Sequence, residues 1–186
     1  SKSIHPTPVI GGVGIINDLK RITNIKTKKS GNVIIIVGKT IGHLGQSAFL
    51  YENFAMKDGP PPEINLLNEK NNGLAVLDLI KKGIALSVHD VSSGGMLVSM
   101  AEMSMSSGLG LKIYKPKKLK NFYEYFFGED QGRYLIEVSK NNLKNIETLF
   151  KKNNVFHENI AEVQSDTFEI EGLFSLKTKD LQICNN

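Results

Sequence analysis

The sequence predicts an α/β or α+β domain, a mixed sheet with helices packed on it, and three observations carry that expectation. Val33-Ile34-Ile35-Ile36-Val37 is an unbroken β-branched run, as a strand buried on both faces requires. Helical and strand-like patterns alternate along the rest of the chain, the order that a helix-covered sheet produces. At 186 residues, 40% hydrophobic and 23% charged, the chain supports one sizeable core and not two.

After the strand at Val33–Val37, which Gly38 ends, come a Gly42–Gly45 turn, a short helix over Gln46–Phe54 and a Gly59-Pro60-Pro61-Pro62 loop. A helix over Leu66–Lys82 follows, closed by Gly83, since glycine readily takes the left-handed conformation that ends helices. Ile84–Val88 reads as a second strand buried on both faces. The loop His89–Gly95 leads into a helix that Gly108 stops after Ser107, with Ser92 or Ser93 as the expected N-cap. Leu109–Ile113 is a short strand, Pro116–Phe127 a basic and aromatic connection, and Arg133–Val138 another strand. Asn142–Lys152 places Leu143, Ile146, Leu149 and Phe150 on one helical face, with Lys151 and Lys152 where the helix dipole favours cations. Short strands at Ile160–Val163, Phe168–Ile170 and Leu173–Leu176 complete the domain. Met96, Met100 and Met103 recur at helical spacing and are expected in the core.

The charge balance, 23 Lys and Arg against 19 Asp and Glu, leaves +4. Only two of the 23 cations are arginine and 17 residues are asparagine, so the basicity belongs to the whole composition. Phosphate and base recognition favours the planar fork of arginine with interleaved aromatics, so no nucleic-acid partner is expected. The densest basic stretch, Lys112–Lys120, has five lysines and reads as solvated surface. No apolar run approaches the roughly 18 residues of a membrane helix, and no signal segment opens the chain, so the expected compartment is the cytoplasm. Cys184 is the only cysteine and has no partner for a disulfide or a metal site. The chain opens Ser1-Lys2-Ser3 and its first methionine is Met56. A piece of a longer polypeptide is therefore expected, with residues 1–8 as a linker stiffened by Pro6 and Pro8 and 9–186 as a single domain.

Three glycine-punctuated loops are candidates for chemistry. Gly11-Gly12-Val13-Gly14 lacks the preceding strand and following helix of a phosphate loop, and close backbone approach or a bulge is the expected reason for its glycines. His89, Asp90, Ser92, Ser93, Gly94 and Gly95 stand at a strand end and a helix start, where free N–H groups can hold an anion such as a nucleotide phosphate. The competing reading is a capped turn with His89 satisfied in the core. Phe127-Gly128-Glu129-Asp130-Gln131-Gly132-Arg133 packs two carboxylates, an amide and a guanidinium between glycines, a density that can orient a polar substrate or else form an internal ion pair of Arg133 with Glu129 or Asp130. Neither His43 nor His157 has a second ligand at metal spacing, so no metal site is assigned.

Taken in order, Thr7–Gly14, Gly42-His43-Leu44-Gly45-Gln46-Ser47, Gly59–Pro62, His89–Gly95 and Phe127–Arg133 resemble the C-terminal domain of the phosphoribosylformylglycinamidine synthases, over about His5–Leu181. The resemblance implies a fold like the C-terminal domain of aminoimidazole ribonucleotide synthetase. It also implies a parent ligase that joins glutamine-derived ammonia to formylglycinamide ribonucleotide at the expense of ATP, with Mg2+, in purine biosynthesis. The implied partners are the N-terminal domains of the same chain, a glutaminase subunit or domain and a small accessory subunit. Family catalytic residues lie in the earlier domains, so no catalytic residue is carried over. The family's acid-Ser-Gln substrate loop corresponds to Glu129-Asp130-Gln131, with Asp130 in place of the serine. The implied role is support of a second, non-catalytic nucleotide site and of interdomain packing, the isolated domain being inactive and free to form a non-native homodimer through an uncovered apolar face. Related superfamily synthetases, and an interaction module binding an acidic partner through Lys112–Lys120, are the alternatives.

Overall fold

The computed structural model describes residues 10–116 and 121–185; the expected linker 1–8 and part of the basic stretch Lys112–Lys120 lie outside them. The described residues form one sheet of seven strands, ordered β2-β4-β1-β5-β3-β6-β7. These are β1 Val33–Val37, β2 Ser87–Asp90, β3 Gly110–Ile113, β4 Tyr134–Val138, β5 His157–Gln164, β6 Thr167–Ile170 and β7 Phe174–Lys177. All pairings are antiparallel except β3 with β6, so the expected mixed sheet is observed.

The helices are α1 Ala48–Phe54, α2 Leu66–Lys81, α3 Gly95–Ser107, α4 Phe122–Phe127, α5 Leu143–Lys152 and α6 Thr178–Asn185. They cover both faces, which is why β1 is apolar throughout. Ile34 and Ile36 pack with Met96, Met100 and Met103 of α3 and Phe126 of α4. Val33, Ile35 and Val37 point the other way, against Ala75, Val76 and Leu79 of α2 and Ile146 and Phe150 of α5. Each buried β1 side chain contributes about 2 kcal/mol of transfer free energy.

Several elements depart from the sequence expectation for local reasons. The second strand begins at Ser87 rather than Ile84 and lies at the sheet edge instead of in its interior. Ile84 and Ala85 both donate their amides to Leu79 O, finishing the end of α2, and the backbone reaches the sheet only where Leu86 N meets Glu137 O. The N-cap of α3 is Gly94, at φ 82°, and neither Ser92 nor Ser93 caps it. Within Pro116–Phe127, Asn121 caps the unexpected helix α4 by accepting from Tyr123 N and Glu124 N. Helix α6 was likewise not anticipated.

Glu137 on β4 is fully buried and accepts from Lys28 N at 2.8 Å, Lys29 N at 3.2 Å, Asn32 Nδ2 at 2.7 Å and Ser87 Oγ at 3.0 Å. It thereby ties the segment before β1 to the sheet. Replacing it leaves four donors without their acceptor, those of Asn32 and Ser87 buried, so Glu137→Ala is expected to lower unfolding free energy by about 3 kcal/mol in urea titration. On α4, burial, helped by the Glu158 charge, pushes the Tyr125 hydroxyl up to about 12. A phenol raised in the fold stabilises below its unfolded value of about 10 and loses that contribution as pH climbs through its folded value. Stability is therefore expected to decline between pH 10 and 12, and less steeply in Tyr125→Phe.

Candidate functional site

The sheet register brings the later two glycine loops to one end of the molecule. At that end Val37 of β1 is paired with Tyr134 of β4 and His157 of β5, and Asp90 of β2 is also opposite Tyr134. The connections leaving these strands, 38–47, 90–95 and 128–133, therefore meet although the sequence separates them widely. The Gly11–Gly14 segment is not among them.

The 128–133 segment is a clasp. Asp130 Oδ2 accepts from Ile41 N and Gly42 N, both at 2.9 Å, and Oδ1 accepts from His43 N at 3.1 Å. Glu129 N donates to His43 O, while Glu129 Oε1 accepts from Ala48 N at 2.8 Å and Gly94 N at 2.7 Å. One carboxylate oxygen thus joins the starts of α1 and α3. Arg133 is 1% exposed, and its guanidinium donates to Asp130 O, Thr40 Oγ1 and Gly128 O, with Nη1 3.7 Å from Asp130 Oδ2. Burial lowers the Arg133 pKa, opposed by the charge of Asp130. These donors are engaged within the loops, and Arg133 also lines the second of the two clefts that flank Gln131.

Two amides at the start of α3 have partners within the protein. Gly94 N donates to the Glu129 carboxylate, and Gly95 N donates to Ser92 O. Gly95 is held against α4: a Cβ there would lie 2.6 Å from the Phe127 carbonyl carbon. His89 faces α3, with Nε2 2.8 Å from Glu102 Oε2; Nδ1 is buried without a hydrogen-bond partner, and Asp90 Oδ1 stands 3.5 Å from it.

Two clefts flank Gln131. The first, about 470 Å³, is lined by Lys39, Asn68, Glu69, Asn72, Gln131 and Phe156, among others. Asn72, which is buried, donates from Nδ2 to Gly132 O at 2.9 Å. The second, about 330 Å³, includes Glu69, Asp90, Ser92, Ser93, Glu129 and Gln131. Burial raises the hydroxyl pKa of neighbouring Tyr134, helped by the charges of Glu69 and Asp90. The wall carries three carboxylates, Glu69, Asp90 and Glu129, beside Arg133, whose guanidinium is hydrogen-bonded within its own loop and to Thr40, so the cleft favours hydroxyl, amide or ammonium donors over a bare phosphate. Glu69 and Asn72 escaped the sequence reading because they lie on α2 with no motif of their own, about 60 residues from Gln131. Among the described residues no three His, Cys, Asp or Glu side chains gather as metal ligands do.

Removing the Asp130 carboxylate leaves three amides and a buried guanidinium without it. Asp130→Ala is expected to cost about 3 kcal/mol of stability by urea denaturation, whereas Gln131→Ala, which breaks no hydrogen bond among the described residues, is expected to change it by less than about 0.5 kcal/mol.

Comparison with known proteins places this geometry. Residues 29–171 match the family described as AIR synthase related protein, C-terminal domain. The phosphoribosylformylglycinamidine synthase subunit PurL of Pelagibacter ubique is 43% identical over 178 residues, covering 96% of this chain and 24% of that protein. That of Bartonella bacilliformis is 37% identical over 180 residues, 97% of this chain and 24% of that protein. The chain thus spans about a quarter of the length of these relatives. Among solved structures, Thermotoga maritima PurL complexed with FGAR superposes with a TM-score of 0.70 at 18% identity, over 88% of this chain and 30% of that one. Escherichia coli HypE, a hydrogenase maturation protein, does so with a TM-score of 0.58 at 17% identity, over 83% of this chain and 50% of that one. At these identities the structural likeness establishes the fold, and the family match over 29–171 establishes membership: the chain belongs to the AIR synthase related protein C-terminal domain family.

Proposed function

We propose that this chain is a domain of a phosphoribosylformylglycinamidine synthase subunit, an ATP-dependent carbon–nitrogen ligase of purine biosynthesis that converts formylglycinamide ribonucleotide and glutamine-derived ammonia to the amidine. The observation that carries the reading is 43% identity to the Pelagibacter ubique subunit across 96% of the chain. Complexes of Thermotoga maritima PurL with FGAR and with ATP, which share this fold, support the choice of substrate and nucleotide. The remaining domains of the subunit, a glutaminase and a small accessory subunit are the partners on this reading, and the cytoplasm is the compartment. On this reading Mg2+ accompanies ATP in the parent.

Within the parent the domain supplies walls rather than a nucleophile or a base. Glu129, Asp130 and Arg133 act as positioning residues, because their polar atoms are engaged with the loops they hold. Gln131, Ser92 and Ser93 line the clefts and are the side chains offered to a ligand, with Glu69 and Asp90 as acceptors for hydroxyl or amide groups. A nucleotide would enter by its sugar or base, its phosphates held by residues outside this chain.

The test is a chimera in which this chain replaces the matching quarter of the Pelagibacter ubique subunit, assayed for phosphate release dependent on ATP, ammonia and formylglycinamide ribonucleotide. Release requiring all three is expected, with Gln131→Ala keeping turnover within roughly threefold of the parent chimera. A folded chimera that hydrolyses ATP regardless of the ribonucleotide contradicts the reaction. Loss of all turnover in Gln131→Ala at unchanged melting temperature contradicts the supporting role.

A further inference from the structure

We propose that the outer face of α2 is a self-association surface, on which a second copy of this chain docks its own α2 in the opposite direction. Leu66, Leu67, Leu74 and Leu77 are exposed by 77%, 67%, 54% and 42%. At 3.6 residues per turn they fall within an arc of about 100°, centred opposite the buried Ala75, Val76 and Leu79 that face the sheet. Helix α2 is therefore apolar on both sides. Helix α5, packed on the same face of the sheet, is not: away from Ile146 and Phe150 it carries Lys144, Glu147, Lys151 and Lys152. A surface helix needs one apolar stripe to join the core, and a second stripe marks a contact.

The occupant follows from the charges at the two ends of the stripe. Glu63 stands just before the helix and Lys81 is its last residue, and among the described residues neither takes part in an ion pair. Asp78 and Lys82, at the margin of the stripe, pair with each other at 2.6 Å. Glu63 and Lys81 lie equally far along the chain from Asn72, as do Leu67 and Leu77, and Lys70 and Leu74. A second α2 running the other way therefore brings Glu63 of each copy to Lys81 of the other. The same register sets Leu67 of one copy beside Leu77 of the other, and Leu74 beside the aliphatic stem of Lys70, whose ammonium reaches solvent. The face is complementary to itself in charge and in apolar pattern, as a two-fold contact requires.

The contact is small. Helix α2 has 16 residues, about 24 Å of length. One helix face of that length buries less than the roughly 800 Å² per partner of a standard interface, so the dimer is weak and reversible, with a dissociation constant on the order of 10 µM. This inference concerns the chain by itself and is independent of the reaction assigned to its parent.

Sedimentation velocity at concentrations well below and well above that constant tests the proposal. The weight-average coefficient is expected to rise from that of a monomer towards that of a dimer. Leu74→Asp with Leu77→Asp is expected to hold the chain monomeric throughout and to leave the melting temperature of the dilute monomer unchanged, since both side chains are already solvated there. Glu63→Lys is expected to weaken association about fivefold, and Lys81→Glu added to it to restore the original affinity. A chain that stays monomeric at the highest concentration overturns the proposal, as does a dimer that survives the paired aspartates or ignores both charge reversals. If the chain stays monomeric and the paired aspartates lower the melting temperature of the full-length chimera alone, the occupant is the remainder of a longer polypeptide, and self-association is overturned.

Discussion

The end of this domain where its loops gather depends on two adjacent carboxylates. Glu129 and Asp130 together accept five backbone amides from Ile41, Gly42, His43, Ala48 and Gly94. They hold the chain between β1 and α1, a helix with no buried residue whose apolar contact is made by Phe49, stacked on Tyr123 and Phe127 of α4. Burying charge is costly unless every lone pair and proton is satisfied. Here the cost is offset by completeness: Asp130, 6% exposed, engages both oxygens, and the Arg133 guanidinium beneath it is spread over two carbonyls and a hydroxyl.

The clasp explains why polar density in a loop is an ambiguous functional sign. Glu129, Asp130, Gln131 and Arg133 are contiguous and all look suited to a ligand, yet three are consumed holding backbone and Gln131 alone stands free between two clefts. Consumption of the α3 N-terminus by Glu129 has a further consequence. A helix start flanked by serines and glycines suits an anion, and here the Glu129 carboxylate accepts from Gly94 N. The cleft beside it is left acidic, which restricts what else can enter.

Much of the fold was legible in the sequence wherever burial imposed a period or a composition. β1 was evident because both its faces are covered, and α5 because one face is apolar and the other charged. The displaced start of β2 was not, since Ile84 and Ala85 look like strand residues and are diverted to finish α2. Helix α4 hid in a run of aromatics whose only helical sign was the cap at Asn121. At the site, the converging loops could be named from their glycines, but the convergence itself and the contribution of Glu69 and Asn72 are properties of the sheet register, which pairs Val33 with Val138 far across the sequence. The glycines of 11–14 were read as places of close approach, and within this domain they approach nothing.

The most direct test of the clasp is native-state hydrogen exchange of the amides of Ile41, Gly42, His43, Ala48 and Gly94 over a series of sub-denaturing urea concentrations. If Glu129 and Asp130 hold the three loops as a unit, the five amides share one opening free energy and one dependence on urea, although they lie on segments far apart in sequence. Opening of Ile41, Gly42 and His43 at low free energy, while Ala48 and Gly94 stay closed to global unfolding, would contradict it and reduce the two carboxylates to independent local contacts.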